Sequence, residues 1–201
     1  MIRAAFVCMV TVAFTTALQL VPAAQSLGAQ AAAADIDALM RALAQRKHGH
    51  VAFTEEKFIA LLDAPVKSSG ELLYDAPDRL EKRTLSPKPE SLVLQRGVVT
   101  ADRGRHHYVL DLRRYPQVVP FIESIRATLA GDRAALERIF RLDLEGTGDA
   151  WTLSLSPLEA KLARSVRLIR IDGAQSAVHR VEIFESDGDR SVLTIGAELP
   201  P

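Results

Sequence analysis

The sequence is short of nearly everything that announces chemistry. Of its 201 residues one is cysteine, Cys8, and it lies in an N-terminal stretch that reads as removed on export. A mature chain without cysteine has neither a disulfide framework nor a thiol nucleophile. An excess of one charge is also missing: 25 basic residues face 25 acidic ones, so no whole-molecule field draws the chain to nucleic acid or to an anionic membrane. No Gly-x-Ser-x-Gly elbow, His-Glu-x-x-His pair or phosphate-cradling glycine loop occurs. A hydrolase needs a nucleophile, a base and an orienting group that converge, and nothing here marks a catalytic residue or calls for a cofactor.

The polar groups that remain read more simply as structure. Histidines occur as His48 with His50, His106 with His107, and His179. Neighbouring residues of a strand point to opposite faces, so His106 and His107 cannot ligate one ion from the same side, and no metal site is expected. Glu55 and Glu56 are divided between two faces in the same way, and Asp187-Gly188-Asp189 is a turn. Arg79, Lys82 and Arg83, and the run Lys161, Arg164, Arg167 and Arg170, are expected on a solvated outer face.

What is present is apolar and patterned. Hydrophobic residues make up 48% and charged residues 25%, a globular composition. Arg3 precedes a mostly apolar run over 4–20, and small residues follow in VPAAQS and GAQAAAA. This is the layout of a secretory signal peptide, with cleavage expected within 23–34. Residues 35–201 are then expected to form a single domain, long enough for a core of its own.

Asp35 can cap a helix whose stripe is Ile36, Leu39, Met40 and Leu43, ended by Gly49. Six strands follow, over 51–62, 67–75, 79–86, 91–95, 98–102 and 106–112, with links containing Pro65, Pro77, Pro87, Gly97 and Gly104. Links this short make neighbouring strands antiparallel. Val118, Ile122, Ile125 and Leu129 then recur at helical spacing up to Gly131, Asp132 can cap a second helix, and Leu136, Ile139 and Phe140 form its stripe. A helical pair set inside a meander is expected to lie across the apolar face of the sheet. Strands resume over 150–156, 165–172, 178–185 and 190–196, with turns at Asp172-Gly173 and Asp187-Gly188. Periodicity leaves open whether the apolar face is a filled core or a ligand cavity.

The run Phe53-Thr54-Glu55-Glu56, then Gly70 to Leu80 (GELLYDAPDRL), Pro87 and Leu92-Val93-Leu94 resembles the LolA family of periplasmic outer-membrane lipoprotein carriers and their relatives. The later stretches Gly148 to Leu153 and Glu185 to Ser191 are similar to that family's later strands. The resemblance implies an α+β, mostly β fold: a half-open antiparallel β-barrel of about eleven strands, covered by short helices that close a hydrophobic cavity. It implies a non-enzymatic periplasmic carrier that shields the acyl chains of outer-membrane lipoproteins or related lipids. Its partners would be that cargo, an inner-membrane donor and an outer-membrane acceptor. A sensor or adaptor with the same fold, acting through a protein partner, is the alternative.

Carried onto this chain, the resemblance places Leu72, Tyr74, Leu80, Leu92, Leu94, Tyr108, Leu110, Trp151, Leu153 and Ile183 along the cavity. Ile122, Ile125 and Leu129 would form the lid. Two departures bear on the cargo. Ala76 stands where the lipoprotein carriers have a lid-holding arginine, and Leu80 and Lys82 fill the family's aromatic positions. Both point towards another acylated or polyene-type lipid.

Overall fold

The computed structural model describes residues 35–114 and 119–200; the segment expected to direct export, and Val118 of the helical stripe, lie outside these. Alternating apolar and polar side chains build eleven strands: β1 His48–Phe58, β2 Val66–Asp75, β3 Arg79–Ser86, β4 Glu90–Gln95, β5 Val98–Arg103, β6 His106–Asp111, β7 Phe140–Thr147, β8 Ala150–Pro157, β9 Val166–Ala174, β10 Ala177–Glu185 and β11 Arg190–Glu198. They form one sheet in the order β6-β5-β4-β3-β2-β1-β11-β10-β9-β8-β7, and every pairing is antiparallel. Two meanders are therefore fused side by side through β1 and β11. The outermost strands β6 and β7 do not pair with each other, so the sheet stays open.

Four helices accompany the sheet: α1 over 35–43, α2 Val119–Ala130, α3 Arg133–Glu137 and the single turn α4 Ala160–Ala163. The first stripe is as its spacing requires, with Ile36, Leu39, Met40 and Leu43 all buried. Gly49, however, does not end α1. The helix stops at residue 43, where the Lys47 ammonium donates to the Ala44 carbonyl at 2.6 Å, and Gly49 lies inside β1 opposite Tyr74. The corner between α2 and α3 is glycine for two reasons: Gly131 has φ +66°, and a side chain there would meet the Met40 carbonyl oxygen of α1 at 2.1 Å. Asp132 caps α3 by accepting from the Ala135 amide at 2.9 Å.

Two expectations change on the way to β10. The stripe Leu136, Ile139, Phe140 is not one helix: α3 ends at Glu137, and Phe140 opens β7, whose Phe140, Leu142 and Leu144 alternate with Arg141, Asp143 and Glu145. The turn expected at Asp172-Gly173 lies three residues later, at Gln175-Ser176, with Gln175 at φ +50°. Gly173 stays in β9 because the Trp151 ring occupies the space where its side chain would be, 2.3 Å from an ideal Cβ. The Asp187-Gly188 turn is present, with Gly188 at φ +98°.

The core occupies one half of the sheet. Leu153 and Leu155 of β8, Val166, Ile169 and Ile171 of β9, and Phe140 of β7 are buried beneath α1 and α3 with Leu43 and Leu136. Leu43, Leu136, Leu153, Leu155, Ile169 and Ile171 there are each no more than 2% exposed, as in an ordinary protein interior.

Candidate functional site

The other half of the same face is built differently. From β1 to β5 the inward positions form cross-strand rows: Gly49, Tyr74, Leu80, Leu94 and Val99, then Val51, Leu72, Lys82 and Leu92. Across β1 the surface continues through Leu193 and Ile195 of β11 and Val181 and Ile183 of β10. These rows and α2 enclose an overwhelmingly apolar cavity of about 360 Å³. That volume falls within the range of small-molecule sites, roughly 300–1,000 Å³. Leu72, Leu80 and Leu92 are only half-buried although they point inwards, whereas Leu153 and Leu155 in the filled half are fully buried.

Six of the ten wall positions named from sequence lie on this cavity: Leu72, Tyr74, Leu80, Leu92, Leu94 and Ile183. So do all three lid positions, Ile122, Ile125 and Leu129, one helical turn apart on α2. The other four are placed elsewhere. Trp151 and Leu153 belong to the packed core, 3% and 0% exposed, because α1 and α3 fill the space above β8. Tyr108 and Leu110 lie on β6, the outermost strand, and do not line the cavity; Tyr108 is 51% exposed and stacks on His106. Residues that sequence reasoning missed are Val51, Val99, Val178, Val181, Leu193 and Ile195. Alternation along β10 and β11 marks most of them, but which rows face a void depends on where the helices dock.

Polar groups at the cavity are few. Lys82, expected outside with its basic neighbours, turns inwards: its ammonium donates to Glu55 at 2.6 Å and stands 5.1 Å from the centroid of the Phe53 ring. Ser68 donates to the same carboxylate at 3.0 Å. Arg79 and Arg83 do face outwards, flanking the buried Glu81. On α2 the Thr128 hydroxyl donates to the Ser124 carbonyl at 2.6 Å. Tyr74 is buried, and its phenol is pushed above its ordinary pKa chiefly by that burial; the Arg126 charge on α2 pulls the other way and Asp78 adds to the rise.

Three of the five histidines pair with carboxylates on neighbouring strands. His48 bonds to Asp75 at 2.9 Å, His50 to Glu71 at 3.2 Å and His107 to Asp102 at 2.6 Å. Among the described residues no three His, Cys, Asp or Glu side chains gather as a metal site. A wider depression of about 520 Å³ lies against the outer face, but it is polar and its cations are paired, Lys67 with Glu56 at 2.8 Å and Arg180 with Glu182 at 2.6 Å. The apolar cavity under α2 is the better candidate for a ligand.

The family described as outer membrane lipoprotein carrier protein LolA-like matches residues 28–198. No curated protein matches the chain. Among solved structures the chain is similar to the lipoprotein LppX of Mycobacterium tuberculosis, at 12% identity and a TM-score of 0.50, over 86% of this chain and 97% of that one. It is also similar to a LolA superfamily protein from Nitrosomonas europaea, at 10% identity and a TM-score of 0.44, over 85% of this chain and 94% of that one. A third is a chain of the Pseudomonas aeruginosa MucA/MucB complex, 14% identical with a TM-score of 0.44, where the match spans 83% of this chain and 59% of the other. At such identities the likeness is one of fold.

Proposed function

Because the chain belongs to the outer membrane lipoprotein carrier protein LolA-like family, we propose that it is a periplasmic carrier whose cavity shields the acyl chains of a lipoprotein or related lipid. The family is one of binding or carrier proteins rather than enzymes, and no reaction is assigned to this chain. Residues 1–34 direct export in this reading, and the rest of the chain acts as one carrier domain that takes its cargo from an inner-membrane donor to an outer-membrane acceptor.

One observation carries the reading: within a single sheet, one half of the inner face is filled by α1 and α3 while the other half encloses about 360 Å³ of apolar space under α2. An acyl chain exposed to water costs about 0.8 kcal/mol for each CH₂ group, on the order of 10 kcal/mol in all. A carrier has to offset that cost and still release its load. Half-buried leucines under one amphipathic helix suit that task, since they gain by covering the chain and no closed, fully interlocked core has to be broken to let it go. Ala76, in place of a lid-holding arginine, fits a helix held mainly by apolar contact.

Native mass spectrometry of the protein purified gently from the periplasm, followed by lipid extraction, tests this. A bound acylated species is expected, and its mass identifies the cargo. A protein that is empty and takes up no acyl lipid when offered it would overturn the proposal.

A further inference from the structure

Among the described residues, the fully buried polar side-chain atoms have partners inside the protein, with one exception. Thr128 is bonded within α2, and Lys82, Glu55 and Ser68 are bonded to one another. The Tyr74 hydroxyl, on a side chain that lines the cavity and is only 6% exposed, has no hydrogen-bond partner among the described residues. A buried hydroxyl left unpaired is destabilising, and buried tyrosines ordinarily place their O–H against an acceptor. Phenylalanine would fill the same space without that cost.

The wall beside Tyr74 has a gap in its row of side chains. Tyr74 of β2 lies directly opposite Gly49 of β1, which also lines the cavity, and a side chain built at Gly49 would meet nothing within 4 Å. On its other flank Tyr74 pairs with Leu80, so its side chain stands between hydrocarbon and a position that carries no side chain. We propose that the Tyr74 hydroxyl donates a hydrogen bond to a neutral carbonyl oxygen of the bound lipid, so that the cavity selects acyl esters and amides over hydrocarbons of equal length. The inference rests on the carrier reading and narrows its ligand class.

The surroundings fix both the direction of the bond and the charge of its acceptor. Burial keeps the phenol protonated well into alkaline solution, so it serves as donor. The charges that reach it are Arg126, already held by Glu123 at 2.8 Å and Asp132 at 3.6 Å, and Asp78, which repels an anion. An ionised carboxylate would enter an apolar cavity whose lining cations among the described residues, Arg46 and Lys82, are already paired, a far more costly burial than that of a carbonyl. An ester or amide carbonyl satisfies the hydroxyl and brings no charge.

The experiment changes the ligand and the protein separately. Equilibrium binding is measured for 1,2-dioleoylglycerol and for the dialkyl ether of the same chain length, which lacks the carbonyls, with the wild-type chain and with Tyr74→Phe. The wild type is expected to hold the ester about fivefold to tenfold more tightly than the ether, the worth of one net hydrogen bond. Tyr74→Phe is expected to abolish that preference and leave ether binding unchanged. Equal affinity of the wild type for the two lipids, or a preference that survives in Tyr74→Phe, overturns the assignment of Tyr74 and leaves the carrier reading standing. Failure of the wild type to bind either lipid overturns the carrier reading itself.

Discussion

Replacing Trp151 by alanine is expected to lower the free energy of unfolding by about 3–5 kcal/mol. The indole is 3% exposed, and its Nε1 donates to the Gln175 carbonyl at 3.1 Å. Its ring lies over Gly173, the residue directly across the β8–β9 ladder, so closely that an ideal Cβ there would come within 2.3 Å of Cζ2. Gly173 has no side chain to move into the gap, and strand β9 is fixed on both sides by its ladders, so the space left by the indole cannot collapse. A loss of that size is a large part of the roughly 5–15 kcal/mol that holds a typical domain together. Urea unfolding checks it, as a fall in the midpoint with little change in slope. A variant that unfolds like the wild type but no longer binds lipid would put Trp151 on the cavity after all.

Leu80→Glu is expected to do the reverse, folding normally while losing about 100-fold in affinity for an acyl lipid. Leu80 is half-buried and points into the cavity between Tyr74 and Leu94 in the cross-strand row. In the free protein a carboxylate on this side chain still reaches water, so the unfolding midpoint should shift little. Once an acyl chain occupies the cavity, the same carboxylate is stripped of water and set against hydrocarbon, which costs several kcal/mol. Lipid titration of the variant alongside its thermal unfolding separates the two effects. Undiminished affinity would place the acyl chain away from β3.

The strands were legible because each is a local matter of alternation between turns, as in Trp151, Leu153 and Leu155 against Thr152, Ser154 and Ser156. Local pattern misled in two places. Leu136, Ile139 and Phe140 fit a helical stripe as well as they fit a helix followed by a strand, which concealed β7. Asp172-Gly173 is a favoured hairpin pair, yet its glycine is there to admit an indole from the neighbouring strand.

The site was half legible, for a reason that lies between elements. Alternation assigns a residue to the inner face but does not say what covers that face. Leu153 and Leu80 carry the same signal, but α1 and α3 fill the space above one and α2 leaves space above the other. Tyr108 carries it too, on an edge strand where the side chain is exposed. The unpaired hydroxyl of Tyr74 left no trace in the sequence, because partners in space decide it.

A carrier of this build holds its acyl chains between α2 and the β1–β5 wall. An acyl ester bearing a photoreactive diazirine near the middle of its chain, irradiated in complex with the protein and mapped by peptide mass spectrometry, tests it directly. Labelling is predicted on peptides containing Leu72 to Leu80 and Ile122 to Leu129. Labelling confined to the exposed leucines of the β1–β2 tip, Leu61 and Leu62, with none on those cavity peptides, would contradict it.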